Sequence, residues 1–115
     1  MHEVKFTDTS YHLGAKIIQL KSYYELEETE AFFALTDAFR IYILRNKDIS
    51  TYRKQANMNF IKFAIRIYKI KEQQHFITRS VFQQKFKSIT EQLKKSENVA
   101  NSRWLETCLT RIKEH

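Results

Sequence analysis

The residue types that most often carry chemistry are thinly spread along this chain. Its 115 residues include four histidines, one cysteine and one glycine. No histidine is spaced from another histidine, a cysteine or a carboxylate as in the zinc motifs H-E-x-x-H and C-x-x-C. We therefore predict no metal site. The histidines are His2, His12, His75 and His115.

Covalent and acid–base catalysis also lack a candidate. Cys108 falls on the apolar stripe of the last predicted helix, where a lone cysteine behaves as a small apolar side chain. The carboxylates of residues 25–30 lie at a predicted helix connection, where water solvates them, whereas acid–base catalysis by paired carboxylates needs a dry pocket. A single glycine cannot form a glycine-rich phosphate loop. We predict that the chain is not an enzyme and binds neither a cofactor nor a small-molecule substrate.

A concentration of basic residues is the one pattern that keeps a functional interpretation. Residues 40–71 contain nine basic side chains and one acid, Asp48. Lys62, Arg66 and Lys69 recur at i, i+4 and i+7 and therefore share one helix face. Such a surface attracts phosphates whatever the nucleotide sequence, although a run of charge is also typical of a solvated face. The candidate interaction surface, called the basic band below, comprises Arg45, Lys47, Lys62, Arg66 and Lys69.

The charge is distributed unevenly along the chain. Residues 1–39 hold three basic and seven acidic side chains, a net of −4, and residues 40–115 hold seventeen and six, a net of +11. These values sum to the overall +7. The second part is thus suited to an acidic partner, or to an acidic surface within a larger protein.

The composition indicates an all-α fold. The chain has no proline and one glycine, whereas β-sandwiches and barrels need many turns built from these residues. A length of 115 residues predicts one domain over residues 1–115, either alone or as the C-terminal module of a longer repeat protein. The lone cysteine and the lack of a signal peptide or a long apolar run predict a cytoplasmic location and no membrane partner.

Apolar spacing predicts about five helices, near residues 10–26, 30–45, 51–71, 78–95 and 101–113. The short connection near residues 27–28 predicts an antiparallel hairpin of the first two helices. Thr9 or Ser10, Thr29 and Ser50 are the predicted N-caps. The third helix is apolar over so wide an arc that it should be packed on two sides. Its predicted apolar side carries Tyr52, Ala56, Phe60, Phe63, Ile67 and Ile70, and that of the fourth helix carries Phe82, Phe86, Ile89 and Leu93.

One segment resembles the central turn of a tetratricopeptide repeat. It reads Tyr-Tyr-Glu-Leu-Glu-Glu-Thr-Glu-Ala at residues 23–31. The chain departs from the repeat pattern at Glu27, where glycine is usual, at Thr29, where an aromatic residue is usual, and at Phe32, where a small residue is usual. The resemblance implies one degenerate repeat over about residues 11–45.

More of the chain resembles the C-terminal helical region of Bacteroidetes-type helical-repeat proteins. The matching stretches are residues 11–16, 39–42, 45–47, 59–63 and 104–105, and the likeness is weakest over residues 72–100. It implies a terminal module of a longer protein, with hairpins packed as a tetratricopeptide-like right-handed array or a small bundle. It implies no activity.

Two functions remain open from the sequence. The first is a helical-repeat module for protein–protein interaction or for capping, whose partner is another protein or the preceding repeats of a longer chain. In that case the first hairpin should expose an apolar patch. The alternative is non-specific nucleic-acid binding through the basic band, which should weaken with salt.

Overall fold

The computed structural model describes the backbone of residues 2–114 and the side chains of residues 9–112. Within this range the chain forms five α-helices and no strand, which confirms the predicted all-α class. The chain divides into two compact units, Met1–Lys54 and Gln55–His115. The predicted single domain over residues 1–115 stays a prediction. The helices are α1 (His2–Glu25), α2 (Thr29–Arg45), α3 (Thr51–Gln73), α4 (Arg79–Lys95) and α5 (Ser102–Glu114).

The first unit is built on an antiparallel hairpin of α1 and α2. At the turn, the rings of Tyr24 and Phe32 have centroids 6.4 Å apart. Towards the open end of the hairpin, the ring centroids of His12 and Tyr42 are 6.3 Å apart. Each helix buries one stripe, as the apolar periodicity requires. The buried side chains of the hairpin are Thr9, Leu13, Leu20, Tyr24, Phe32, Thr36, Phe39 and Ile43.

A tight turn joins these two helices. The backbone N–H of Glu27 donates to the carbonyl of Tyr24 at 3.3 Å, and that of Glu28 donates to Tyr23 at 3.0 Å. These two bonds form a Schellman motif, which satisfies carbonyls at the end of α1. The motif places Glu27 in the left-handed region with φ 58°, a conformation that normally favours glycine.

Two predicted helix starts are wrong, and one predicted cap is confirmed. α1 begins at His2, so Thr9 lies inside the helix, where it is 5% exposed. Serine and threonine favour N-caps but are also tolerated inside a helix, so these residues did not mark the start. α2 begins at Thr29 itself, because the Schellman turn makes Glu28 its N-cap. For α3, the Oγ of Ser50 accepts a bond from the N–H of Arg53 at 3.2 Å, as expected of an N-cap.

The second unit contains the rest of α3 together with α4 and α5. The rings of Phe60 and Trp104 approach to 6.1 Å and join α3 to α5. The amide of Asn59 donates to the carbonyl of Asn98 at 2.9 Å and holds the α4–α5 connection against α3. α4 also packs against α5. The buried apolar side chains are Phe60, Ile61, Phe63, Ala64, Ile67, Tyr68 and Ile70 of α3, Ile89 and Leu93 of α4, and Leu105, Cys108, Leu109 and Ile112 of α5.

The wide apolar arc predicted for α3 is largely confirmed, with one exception. Phe60, Phe63 and Ile67 are at most 1% exposed, whereas Tyr52 is 70% exposed. Tyr52 lies in the first turn of α3, and the first buried position of this helix is Asn57. The apolar periodicity therefore starts one turn before the helix becomes covered.

No helix in the described part of the chain combines the length and the apolar character needed to cross a lipid bilayer.

Candidate interaction surfaces

The structure distributes the basic band over both units. Lys62, Arg66 and Lys69 lie on one side of α3, with both lysines exposed and Arg66 half-buried. Arg45 is the last residue of α2 and Lys47 follows it, and both are exposed in the first unit. The predicted shared face of the three α3 residues is therefore present within the second unit.

Lys62 and Arg66 are held by neutral groups. The ring of Phe63 lies 5.5 Å from the Nζ of Lys62 and 5.8 Å from the Cζ of Arg66. An Nη1–H of Arg66 also donates to the Oε1 of Gln92 at 2.6 Å. Among the described side chains, neither residue forms an ion pair. Their positive charges are therefore not neutralised locally and remain able to attract an anion.

The aromatic side chains of α3 within the second unit do not supply a stacking platform beside Lys62, Arg66 and Lys69. Phe60 is 0%, Phe63 1% and Tyr68 2% exposed, whereas Tyr52, at 70%, lies in the first turn of α3 within the first unit. A single-stranded nucleic acid gains much of its affinity by stacking bases on exposed rings. The α3 part of the basic band therefore offers phosphate contacts alone.

The residues considered for metal binding and catalysis remain dispersed. Among the described side chains, no group of three or more His, Cys, Asp or Glu residues is placed to hold a metal ion. His12 contacts Tyr42, and the ring of His75 lies 3.2 Å from the amide of Gln74. Cys108 is 1% exposed and packs in the core, as predicted. The side chains of His2 and His115 lie outside the described residues.

An exposed apolar surface lies on the hairpin of the first unit, where the capping hypothesis expects one, although the sequence did not identify its residues. Tyr11 and Ile18 are 72% and 66% exposed and fall on the side of α1 opposite Leu13 and Leu20. On α2, Ile41 and Leu44 are 49% and 63% exposed, again away from the buried stripe. The only signal in the sequence is that these apolar residues do not follow the helical spacing of the buried residues of α1 and α2. This outer face comprises Tyr11, Ile18, Ala34, Ala38, Ile41 and Leu44.

A second surface, the α4 groove, lies in the second unit. It is an open cavity of about 910 Å³ along α4, and its lining also includes Ile112 of α5. The rings of Phe82 and Phe86 lie in it, stacked at 5.8 Å with an interplanar angle of 30°. Both phenylalanines are only half-buried, and the first buried residue of α4 is Ile89. The groove is lined by Gln74, His75, Ile77, Arg79, Phe82, Gln83, Phe86, Lys87, Thr90, Glu91, Lys94 and Ile112.

Comparison with known proteins gave no match. No protein-family model matches the chain, and neither a curated protein nor a solved structure does.

Proposed function

We propose that the chain is a non-catalytic helical-repeat module that binds another protein, or the preceding repeats of a longer chain, through the outer face of its first hairpin. The observation that carries this proposal is the exposure of four large apolar side chains on the hairpin. Single exposed apolar residues are normal on a protein surface, whereas several on one side of a helical pair are typical of a contact surface. The four are Tyr11, Ile18, Ile41 and Leu44.

The geometry of the hairpin supports stacking against a further helical pair. In repeat proteins each helical pair buries one side against the preceding unit and the other against the next. Here the inner side of α1 and α2 is buried and the outer face is open. The three-residue connection between Glu25 and Thr29 keeps the two helices adjacent, so a partner that spans both helices would bury exposed residues of each.

The expected energy of this contact favours an attached or concentrated partner. Complete burial of a fully exposed large aliphatic side chain contributes about 1.5–3 kcal/mol. Because Ile18, Ile41 and Leu44 are 66%, 49% and 63% exposed, burying the rest of them contributes roughly 3–5 kcal/mol in total. Association of separate molecules costs about 4–15 kcal/mol in lost freedom. The outer face alone therefore supports weak binding between separate chains. A neighbour in the same chain would bind it far more firmly, because its effective concentration is high.

Site-specific photo-crosslinking in cells that produce the protein tests the proposal. A benzophenone amino acid placed at Ile18 or Ile41 should give a discrete crosslinked product. The same group at Thr107, which is exposed on α5, is the matched control and should not. Adding Leu44→Glu should remove the product formed from position 41, because it introduces a charge into the contact.

The free energy of unfolding shows whether the outer-face residues contact a partner or pack within the chain itself. Because the outer face is exposed, Ile18→Gln and Ile41→Gln should change the free energy of unfolding by less than about 0.5 kcal/mol. Equal crosslinking from position 107, or no product from positions 18 and 41, would reject the proposal.

The second candidate is non-specific nucleic-acid binding through the basic band. The observation that favours it is the lack of an ion pair at Lys62 and Arg66 among the described residues. Without a stacking surface beside α3, the binding would depend on phosphates and would therefore be weak and sensitive to salt. Its test is oligonucleotide binding measured at several salt concentrations.

A further inference from the structure

We infer that the α4 groove is a docking site for an acidic amphipathic helix of a partner protein. This inference rests on the proposed protein-binding function but concerns a different surface, in the second unit. The partner segment carries apolar residues on one side and carboxylates beside them.

The apolar stripe of α4 is buried along only part of its length. Phe82, Phe86, Ile89 and Leu93 form one stripe at i, i+4, i+7 and i+11. The second half of this stripe is buried, with Ile89 4% and Leu93 5% exposed. The first half is half-buried, so the same stripe continues into the groove without a complete partner. A helix laid in the groove would extend the packing that α4 already has.

The dimensions fit a short helix. The lining of the groove follows α4 from Arg79 to Lys94. At about 1.5 Å per residue this stretch is roughly 23 Å long, which equals about 15 residues or four turns of a partner helix. An amphipathic helix of that length presents three or four apolar anchors at helical spacing, as in other helix-in-groove complexes.

The charge of the groove selects an acidic occupant. Three permanent cations line it, Arg79, Lys87 and Lys94, against one acid, Glu91. Within the described part of the chain, none of these three cations forms an ion pair. Lys87 and Lys94 are seven residues apart and therefore lie on the same flank of the apolar stripe. Carboxylates along one flank of the partner helix would meet them.

The aromatic pair favours a helix over a nucleic acid strand. Bases bind by stacking flat on exposed rings. Phe82 and Phe86 stack on each other, so one face of each ring is already occupied.

Fluorescence anisotropy with the full chain tests the inference. The probe is a labelled peptide of about 15 residues, with leucines at helical spacing and glutamates on both flanks. A peptide with the same leucines and lysine flanks is the charge control, and an oligothymidylate is the nucleic-acid probe. We expect the glutamate peptide to bind at least about tenfold more tightly than the lysine peptide.

The groove is located by charge reversal. The double variant Lys87→Glu and Lys94→Glu should weaken binding of the glutamate peptide about tenfold or more. The matched control is Lys95→Glu with Arg103→Glu, which makes the same charge change at exposed positions outside the groove and should weaken it less than about twofold. Phe86→Ala should also abolish binding, with helicity measured to confirm that the variant is folded.

Several outcomes would overturn the inference. They are no binding of the glutamate peptide, equal binding of the lysine peptide, or equal losses in the two double variants. Oligothymidylate binding that is lost in the groove variant would assign the groove to nucleic acid instead. Because crosslinking at positions 18 and 41 reports on the first unit, failure of the peptide with successful crosslinking rejects the groove alone. The reverse result rejects only the outer-face proposal.

Discussion

An Nη1–H of Arg66 donates a hydrogen bond to the Oε1 of Gln92 at 2.6 Å, and this bond joins α3 to α4 within the second unit. The amide of Gln92 in turn donates to the Oγ of Ser88 at 3.2 Å, which fixes the orientation of the glutamine. A guanidinium held in this way has lost part of its freedom to follow a ligand. Arg66 is thus both a member of the basic band and a connection between helices.

We expect removal of this bond to lower stability modestly. Arg66→Ala and Gln92→Ala should each reduce the free energy of unfolding by about 0.5–1.5 kcal/mol, because the bond is solvent-exposed. The double variant should lose less than the sum of the two, since both substitutions remove one interaction. Urea denaturation of all four proteins measures this cycle. Strict additivity would show that the bond contributes nothing.

The basic band is tested by oligonucleotide binding at several salt concentrations. If the band binds nucleic acid, Lys62→Glu with Lys69→Glu should reduce the slope of log affinity against log salt by about 1.4, since each phosphate contact to a single strand contributes about 0.7. Adding Arg66→Glu should abolish binding. The two-site variant leaves the Arg66–Gln92 bond intact, and its helicity is measured to confirm that it is folded. Arg45→Glu with Lys47→Glu gives the corresponding measurement for the first unit.

The absence of binding at low salt would leave these residues as a solvated face. Binding that is unchanged by reversal of all three α3 residues would place any nucleic-acid site elsewhere on the chain.

Replacing the left-handed glutamate of the first turn should stabilise the protein. Glu27→Gly relieves a φ of 58° that costs a residue with a side chain about 1 kcal/mol or more. We expect the free energy of unfolding to rise by about 0.5–1 kcal/mol and the melting temperature to rise by several degrees. Glu28→Gly is the matched control, since Glu28 has φ −83° and gains no relief. Equal stabilisation by both glycines would contradict this explanation.

The start of α4 depends on a threonine cap. The Oγ1 of Thr78 accepts a bond from the N–H of Val81 at 3.2 Å. Thr78→Ala should therefore lower the free energy of unfolding by about 1 kcal/mol, measured by thermal or urea denaturation. Thr107→Ala is the control, because Thr107 lies inside α5 and its hydroxyl only donates to the carbonyl of Arg103. It should be neutral or slightly stabilising, as alanine is the better helix former.

The sequence was most informative where structure depends on neighbours along the chain. The stripe of Phe60, Phe63 and Ile67 was predicted from spacing alone, because helical periodicity places them on one side of α3 and they are buried there. The cap at Ser50 was likewise predicted from residue type. The basic face of α3 follows from the same spacing.

The capping hypothesis expected an apolar patch on the first hairpin, but neither the residues of that patch nor the α4 groove were predicted, because both depend on what covers each helix. Spacing shows that Phe82 and Ile89 share a side of α4, but only the packing of α5 leaves Phe82 half-buried and Ile89 covered. In the same way Ile18 and Ile41 are ordinary apolar residues in the sequence. Their exposure follows from the arrangement of the hairpin.

The unequal covering of α4 also sets where this helix opens first. Its early turns, around Phe82, lack the packing that secures Ile89 and Leu93, so they can unwind while the end of the helix stays in place. Backbone amide protons in the early turns should then exchange with deuterated solvent sooner than those near Leu93. The C-terminal half of α4 would stay folded while its first turns open. A molecule that binds in the groove would therefore slow exchange most in the first turns of α4.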